Sequence, residues 1–179
     1  MISYIETHGL DAAISRGGNT YGPYQYPEKF IPLMITNLME GREVPIYGDG
    51  MQVRHWIHVD DHCRGVATIM RNGNPGEIYN VGSDDERTNL DVARTVVRLM
   101  GASPNLLRHV TDRPGHDRRY AMRCDKLREL GWSPNWQFED GIAATVEWYR
   151  ARRDWWEPIR DAKFDAYYAA NYGDRNQVE

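Results

Sequence analysis

Apolar residues recur at helical spacing in several stretches of the chain. In "KFIPLMITNLME" they fall at Phe30, Leu33, Met34, Leu38 and Met39, with Gly41 as the stop, so a helix is expected. "NLDVARTVVRLMG" lines Leu90, Ala93, Val97 and Met100 on one face, with Asn89 as candidate cap and Gly101 past the end. "DDHCRGVATIMRNG" reads as a helix capped by Asp60 and closed by Gly73. "FEDGIAATVEWYRARRDWW" gives a longer helix with Ile142, Val146 and Tyr149 in one stripe, and "MISYIETH" and "CDKLRELGW" give two short ones. Between them "DAAISRGG", "VRHWIHV" and "EIYNVGS" read as strands, the second by its alternation. "EVPIYGDG" is a short extended piece running into a turn at Gly48-Asp49-Gly50, and "LLRHVTDRPGHDRRYAM" is two extended pieces around Pro114-Gly115. After Trp156 the chain is polar and Tyr-rich with weak periodicity, so residues 157–179 are set apart as a tail from a body at 1–156. Alternating strands and helices define the α/β class. The strands are few and short, which makes a narrow sheet.

Composition narrows the partners. The 179 residues carry a net charge of -4, with 41% hydrophobic and 11% aromatic residues, which fits a globular chain and argues against a general nucleic-acid or acidic-membrane binder. Cys63 and Cys124 form no C-x-x-C pair, as expected for reduced thiols of a cytoplasmic protein. No apolar run approaches the roughly 20 residues of a membrane span.

Candidate chemistry concentrates in four places. "RGGNTYGPYQYPEKFIP", from Arg16 to Pro32, combines a stiff backbone with the polar tips of Asn19, Tyr21, Tyr24, Gln25 and Lys29, as a preorganised ligand loop would. Arg54 opens an alternating strand, and Arg113 lies in a turn with His116, Arg118 and Arg119. Two such guanidinium forks from distant segments suit a diphosphate, although salt bridges to Asp112 and Asp117 would satisfy the same residues. Asn80 ends a strand just before a glycine, where α/β folds place ligands. His55, His58 and His62 lack the spacing of a metal site, Asp60-Asp61 reads as a helix cap, and Trp155-Trp156 reads as packing.

"SRGGNTYGPYQYPEKFIPLMI", "VPIYGDGMQVRHWIHVDDH", "EIYNVGS" and "DRPGHDRRYAM" closely resemble the C-terminal half of dTDP-glucose 4,6-dehydratases, which are extended short-chain dehydrogenases/reductases. The similarity runs from about residue 2 to 156. "YGPYQ-x-PEK" and "RPGHDRRY" are the more specific segments; "YGDG" is shared with nucleotide-sugar epimerases and decarboxylases, the alternative reading. The resemblance implies a substrate-binding part that contributes the last strands of a Rossmann-like parallel sheet. It implies that Asn19, Arg54 and Arg113 attend the diphosphate of a dTDP-sugar, and that Lys29 and Phe30 lie along the nucleotide. Pro45, Ile46 and Tyr47 would cover the base and its sugar, and Asn80 and His116 would complete the pocket. Thr20 would touch the nicotinamide end of NAD, where many members carry a second asparagine.

Other family features have no counterpart here. There is no G-x-x-G-x-x-G or G-x-G-x-x-G, and the residues four before Lys29, Lys126 and Lys163 are Gln25, Met122 and Ile159, so no Tyr-x-x-x-Lys exists. No catalytic residue is therefore assigned. The expectation is half an enzyme that needs a separate NAD-binding half or self-association to cover an open sheet edge. A non-catalytic nucleotide-sugar-binding remnant has the same sequence signature.

Overall fold

The computed structural model describes residues 2–173. Helix α1 (Ile2–His8) leads into strands β1 (Ile14–Gly17) and β2 (Asn19–Tyr21), then α2 (Phe30–Met39), β3 (Val44–Tyr47), β4 (Val53–His58) and α3 (Val59–Asn72). Next come β5 (Ile78–Val81), β6 (Glu86–Thr88), α4 (Asn89–Met100), β7 (Leu107–Val110), β8 (Arg119–Tyr120), α5 (Asp125–Glu129), α6 (Phe138–Ala151), α7 (Arg153–Trp156) and α8 (Ala162–Tyr168). Three small sheets result. β1 pairs in parallel with β5, β3 with β7, and β4 with both β2 and β8, while β6 runs antiparallel to β4. The α/β class and the parallel pairing agree with the sequence reading.

Strand β4 organises the packing. Side chains on a strand alternate between faces, and Trp56 enters a large core with Ile35, Val96, Phe138 and Ile142, whereas neighbouring Ile57 enters a second core with Val81, Leu127 and Trp132. With both faces covered, the polar positions of "VRHWIH" do not reach solvent: Arg54, His55 and His58 are all buried. α2 is likewise more deeply buried than an amphipathic helix, with every residue from Ile31 to Leu38 inside. Pro32 is tolerated there because it sits in the first turn, where no intrahelical N–H bond is lost.

Two caps differ from the expectation. Thr88, not Asn89, caps α4: its hydroxyl oxygen accepts the Asp91 N–H at 3.0 Å and lies 2.6 Å from Asp91 Oδ2. His58, not Asp60, caps α3, its Nδ1 accepting the Asp60 N–H at 3.3 Å. His58 is 3% exposed, packed against Trp136 at 4.4 Å and Tyr21 at 5.5 Å between ring centroids. Burial pulls its pKa below the ordinary value, against the opposing charges of Asp60 and Asp61. A folded-state pKa below the unfolded one means that the unfolded chain binds more protons below about pH 6.5. Stability is then present above that window and is lost as pH falls through it. The melting temperature should drop between pH 7.5 and 5.5, and drop less in His58→Asn, which can cap but does not titrate. Equal pH slopes would assign the acid sensitivity elsewhere.

The long C-terminal helix breaks at Arg152 (φ -118°, ψ 46°), which folds Trp156 back so that its indole N–H donates to Tyr149 O at 2.8 Å. Trp156 is fully buried, in keeping with a packing role. Beyond it the polar segment also docks. Arg160 pairs with Glu40 at 3.1 Å, donates to Asn37 Oδ1 at 3.1 Å and lies over the Phe164 ring at 4.7 Å. Residues 174–179 of the expected tail lie outside the described residues. Among the described residues no helix is long and apolar enough to cross a membrane.

Candidate functional site

Arg54 is the centre of the site. It stands on β4, 8% exposed, with Nη1 donating to Val53 O at 2.7 Å and Nη2 to Asp117 O at 2.8 Å. Both partners are neutral carbonyls, and no carboxylate of the described residues pairs with it. The carboxylate pairing that the sequence allowed is therefore not made: Asp117 offers Arg54 its carbonyl. Burial pulls the Arg54 pKa below its ordinary value; the charge of Asp117 opposes this and that of Arg113 adds to it. A buried guanidinium whose hydrogen-bond partners are carbonyls, with a second guanidinium adding like charge, makes a candidate anion site. Tyr120 covers it from β8, its ring centroid 5.6 Å from the guanidinium carbon.

The base-covering candidates lie on β3. Tyr47 is half-buried between His116, edge-on at 6.1 Å, and Tyr172 at 5.7 Å. His116 is fixed by Asp112, whose Oδ1 lies 2.7 Å from Nδ1, and Asp112 Oδ2 accepts from Gln52 Nε2 at 2.8 Å. Pro45 lines a cleft of about 430 Å³ with Arg42, Glu43, Arg108, Tyr168 and Tyr172. Ile46 points into the main core.

The ligand loop, Arg16 to Pro32, starts at the end of β1, runs through β2 and enters α2, with Lys29 as the N-cap residue. Lys29 pairs with Glu28 at 2.9 Å. Phe30 stacks on Trp56, with ring centroids 6.0 Å apart. Tyr24 holds a left-handed backbone (φ 63°) against Trp148 and Trp155, at 4.8 and 5.5 Å. Such a conformation in a non-glycine residue has to be held by its surroundings. Asn19 lines a recess of about 240 Å³ with Gly17, Gly18, His55, Tyr120 and Met122. Thr20 faces α3: its hydroxyl lies 2.5 Å from His62 Nδ1 and 3.4 Å from Gly18 O.

The structure thus groups Tyr47 with His116, while Arg113 acts on Arg54 through its charge. Asn80 is engaged elsewhere, its amide donating to Arg123 O at 2.8 Å and tying the segment after β8 to β5. Tyr120, Tyr172 and Gln52 are not among the sequence candidates, and Asp112 is there only as a partner for the arginines, not for His116. Tyr120 carries a signal, as the aromatic residue after Arg118-Arg119, and Asp112 one as the residue four before His116; Gln52 and Tyr172 are joined to the site only by contacts distant in sequence. Among the described residues no group of three or more His, Cys, Asp or Glu is placed to hold a metal ion.

Residues 1–145 match the family model described as GDP-mannose 4,6 dehydratase. The dTDP-glucose 4,6-dehydratase of Streptomyces niveus is 50% identical over 160 residues, which are 89% of this chain and 48% of that protein. The solved dTDP-glucose 4,6-dehydratase of Streptomyces venezuelae, with NAD bound, superposes with a TM-score of 0.86 at 50% identity, over 88% of this chain and 49% of that one. A UDP-glucose 4-epimerase of Thermotoga maritima, solved with UDP-glucose, gives 0.79 at 29% identity, over 83% of this chain and 49% of that one. The chain spans about half the length of the curated relatives it matches. Its parallel strands are those of an extended short-chain dehydrogenase/reductase sheet, as the sequence resemblance implied. With four-fifths of its residues matched and dehydratases of nucleotide sugars as its relatives at half identity, the chain belongs to the GDP-mannose 4,6 dehydratase family.

Proposed function

We infer that this chain is the substrate-binding part of an NAD-dependent dTDP-glucose 4,6-dehydratase, which converts dTDP-glucose to dTDP-4-keto-6-deoxyglucose with loss of water. The observation that carries the reading is Arg54: a buried guanidinium, bonded only to carbonyls, with Arg113 adding like charge. A sugar-nucleotide diphosphate supplies the missing anion. In this reading Tyr47 lies on the base side, backed by the buried His116 that Asp112 holds edge-on to it, and Asn19 lies by the diphosphate. Lys29 adds positive charge at the rim of the loop. Asn80 acts on this site through the backbone it holds.

The residues present do not by themselves fit NAD. Gly17 and Gly82 sit at the C-terminal ends of β1 and β5, where a dinucleotide would approach, but their open sides are filled from within the chain. A Cβ on Gly17 would meet the His62 ring at 2.4 Å, and one on Gly82 would meet Met122 sulfur at 3.1 Å. The Thr20 hydroxyl is engaged by His62. NAD therefore needs residues from another segment, and no step of its chemistry is assigned to this chain. β1 supports a partner of that kind. It pairs with β5 along one edge, and among the described residues its other edge is unpaired, with Ser15, Arg16 and Gly17 exposed.

The test is co-expression with the part of a dTDP-glucose 4,6-dehydratase relative that this chain does not span. The assembly should bind thymidine diphosphate and form the 4-keto-6-deoxy product from dTDP-glucose. The chain alone should bind more weakly and turn over nothing. An assembly that binds no thymidine diphosphate, or one that binds uridine diphosphate much more tightly, would overturn the assignment. The second outcome would favour a UDP-sugar epimerase.

A further inference from the structure

Tyr21, Tyr24 and Gln25, expected as tips for a ligand, are used to hold the ligand loop itself. Tyr21 is 2% exposed, with its ring against Phe138 and His58. A Cβ on Gly141 of α6 would collide with the Tyr21 hydroxyl, so the glycine makes room for it. Gln25 turns back on the loop, its Nε2 donating to Thr20 O at 2.7 Å. The Gln25 carbonyl accepts the hydroxyl of Tyr149, 124 residues further on in α6. Tyr24, between Tyr21 and Gln25, holds its φ of 63° with the ring against Trp148 of α6 and Trp155 of α7. Asn19 and Lys29, at the two ends of the loop, are left for the ligand.

Gly141, Trp148 and Tyr149 stand at i, i+7 and i+8, on one side of α6. That side presents the loop with a space, a ring and a hydroxyl. Tyr149 is 0% exposed, packed on Trp148 at 4.9 Å and Trp155 at 6.4 Å between ring centroids. Burial pushes its phenol pKa up, so the hydroxyl stays protonated and donates. Of the three contacts this is the one made to the loop backbone, so it fixes the chain rather than a side chain. It falls on the residue after Tyr24, whose left-handed backbone has to be held by its surroundings. From Gln25 the tie continues to Thr20 O, and Thr20 follows Asn19. A loop held in this way has less freedom to lose when a ligand binds.

We propose that Tyr149 is a positioning residue of the nucleotide-sugar site: its hydroxyl, through Gln25, sets the backbone at Thr20 and so the place of Asn19, without touching the ligand. The inference rests on the reading of Arg54 and this loop as a diphosphate site. It gives α6 a part in binding besides its part in the core.

Calorimetry with thymidine diphosphate on the co-expressed assembly tests it, together with amide hydrogen exchange across residues 19–28. Tyr149→Phe keeps the ring and removes only the hydroxyl. It should weaken thymidine diphosphate binding about fivefold, within the cost of re-ordering a few groups on binding. Exchange across the loop should speed up in the free assembly and slow again with saturating thymidine diphosphate. Val146→Ala is the control, because Val146 is buried in the core on the same helix. It should lower the melting temperature by at least as much and leave the affinity within about twofold. Unchanged affinity or unchanged loop exchange in Tyr149→Phe, or an equal loss of affinity in Val146→Ala, overturns the inference and leaves the hydroxyl a contact of the fold alone. If Tyr149→Phe fails to fold, Gln25→Ala, which removes the bond to Thr20 O, takes its place with the same expected loss and the same overturning result. If the unaltered assembly binds no thymidine diphosphate, the diphosphate reading fails first and the inference falls with it.

Discussion

Replacing Asp61 with alanine is expected to cost the folded chain about 3–5 kcal/mol, the loss typical of removing one partner from a buried charged network. Asp61 is 1% exposed on the first turn of α3. Its carboxylate accepts the N–H groups of Asn135 (3.0 and 3.1 Å) and Trp136 (2.9 Å), and Nη2 of Arg64 (2.8 Å). Its own carbonyl accepts the Trp132 indole N–H at 3.2 Å. One side chain thus holds the loop between α5 and α6 against the start of α3, and so sets where α6 delivers Phe138 to the core. Alanine would strand two part-buried backbone donors, each worth about 1–3 kcal/mol. Arg64 suffers less, because its side chain is 42% exposed and can turn to water. For a chain of this length, the melting temperature should fall by about 10 °C. Asp61→Asn, which keeps an acceptor oxygen, should fall less. A Asp61→Ala protein melting within about 2 °C of the original would show that the loop is held by other contacts.

Asp61 also marks how far the sequence can be read. The four main helices are legible because their periodicity and glycine stops are local signals. The caps are misplaced by one or two residues because His58 and Thr88 are also able to accept first-turn N–H groups, and only the backbone geometry decides where the helix starts. Reading Asp60-Asp61 as a cap misses the real role, since the backbone donors that Asp61 accepts lie more than 70 residues away. The same limit hides the return of Trp156 under Tyr149 and the docking of Arg160 on Asn37 and Glu40. The pattern of β4 reads as alternation, yet both faces are covered, and no local signal distinguishes a polar residue facing water from one buried with partners. Arg54 and Arg113 stand out in the sequence as clamp candidates because guanidinium chemistry is specific. The recess around Asn19 does not, because its wall is assembled from β1, β2, β4 and β8.

Arg54→Ala should weaken thymidine diphosphate binding by about 1.5–3 kcal/mol, the range for a hydrogen bond to a charged group. At about 1.4 kcal/mol per factor of ten, that is a loss of about 10- to 150-fold. The effect should exceed that of Arg113→Ala, because Arg113 is exposed and its field is screened by water and salt. Arg54→Lys separates charge from geometry. Lysine restores a positive charge near the site but not the planar fork whose Nη atoms reach Val53 O and Asp117 O. If orientation matters as much as charge, lysine recovers only part of the affinity. Calorimetry at two salt concentrations reads both contributions. The Arg113 increment should shrink as salt rises, while the Arg54 increment persists because its guanidinium is buried. Unchanged affinity in Arg54→Ala would take Arg54 out of the site.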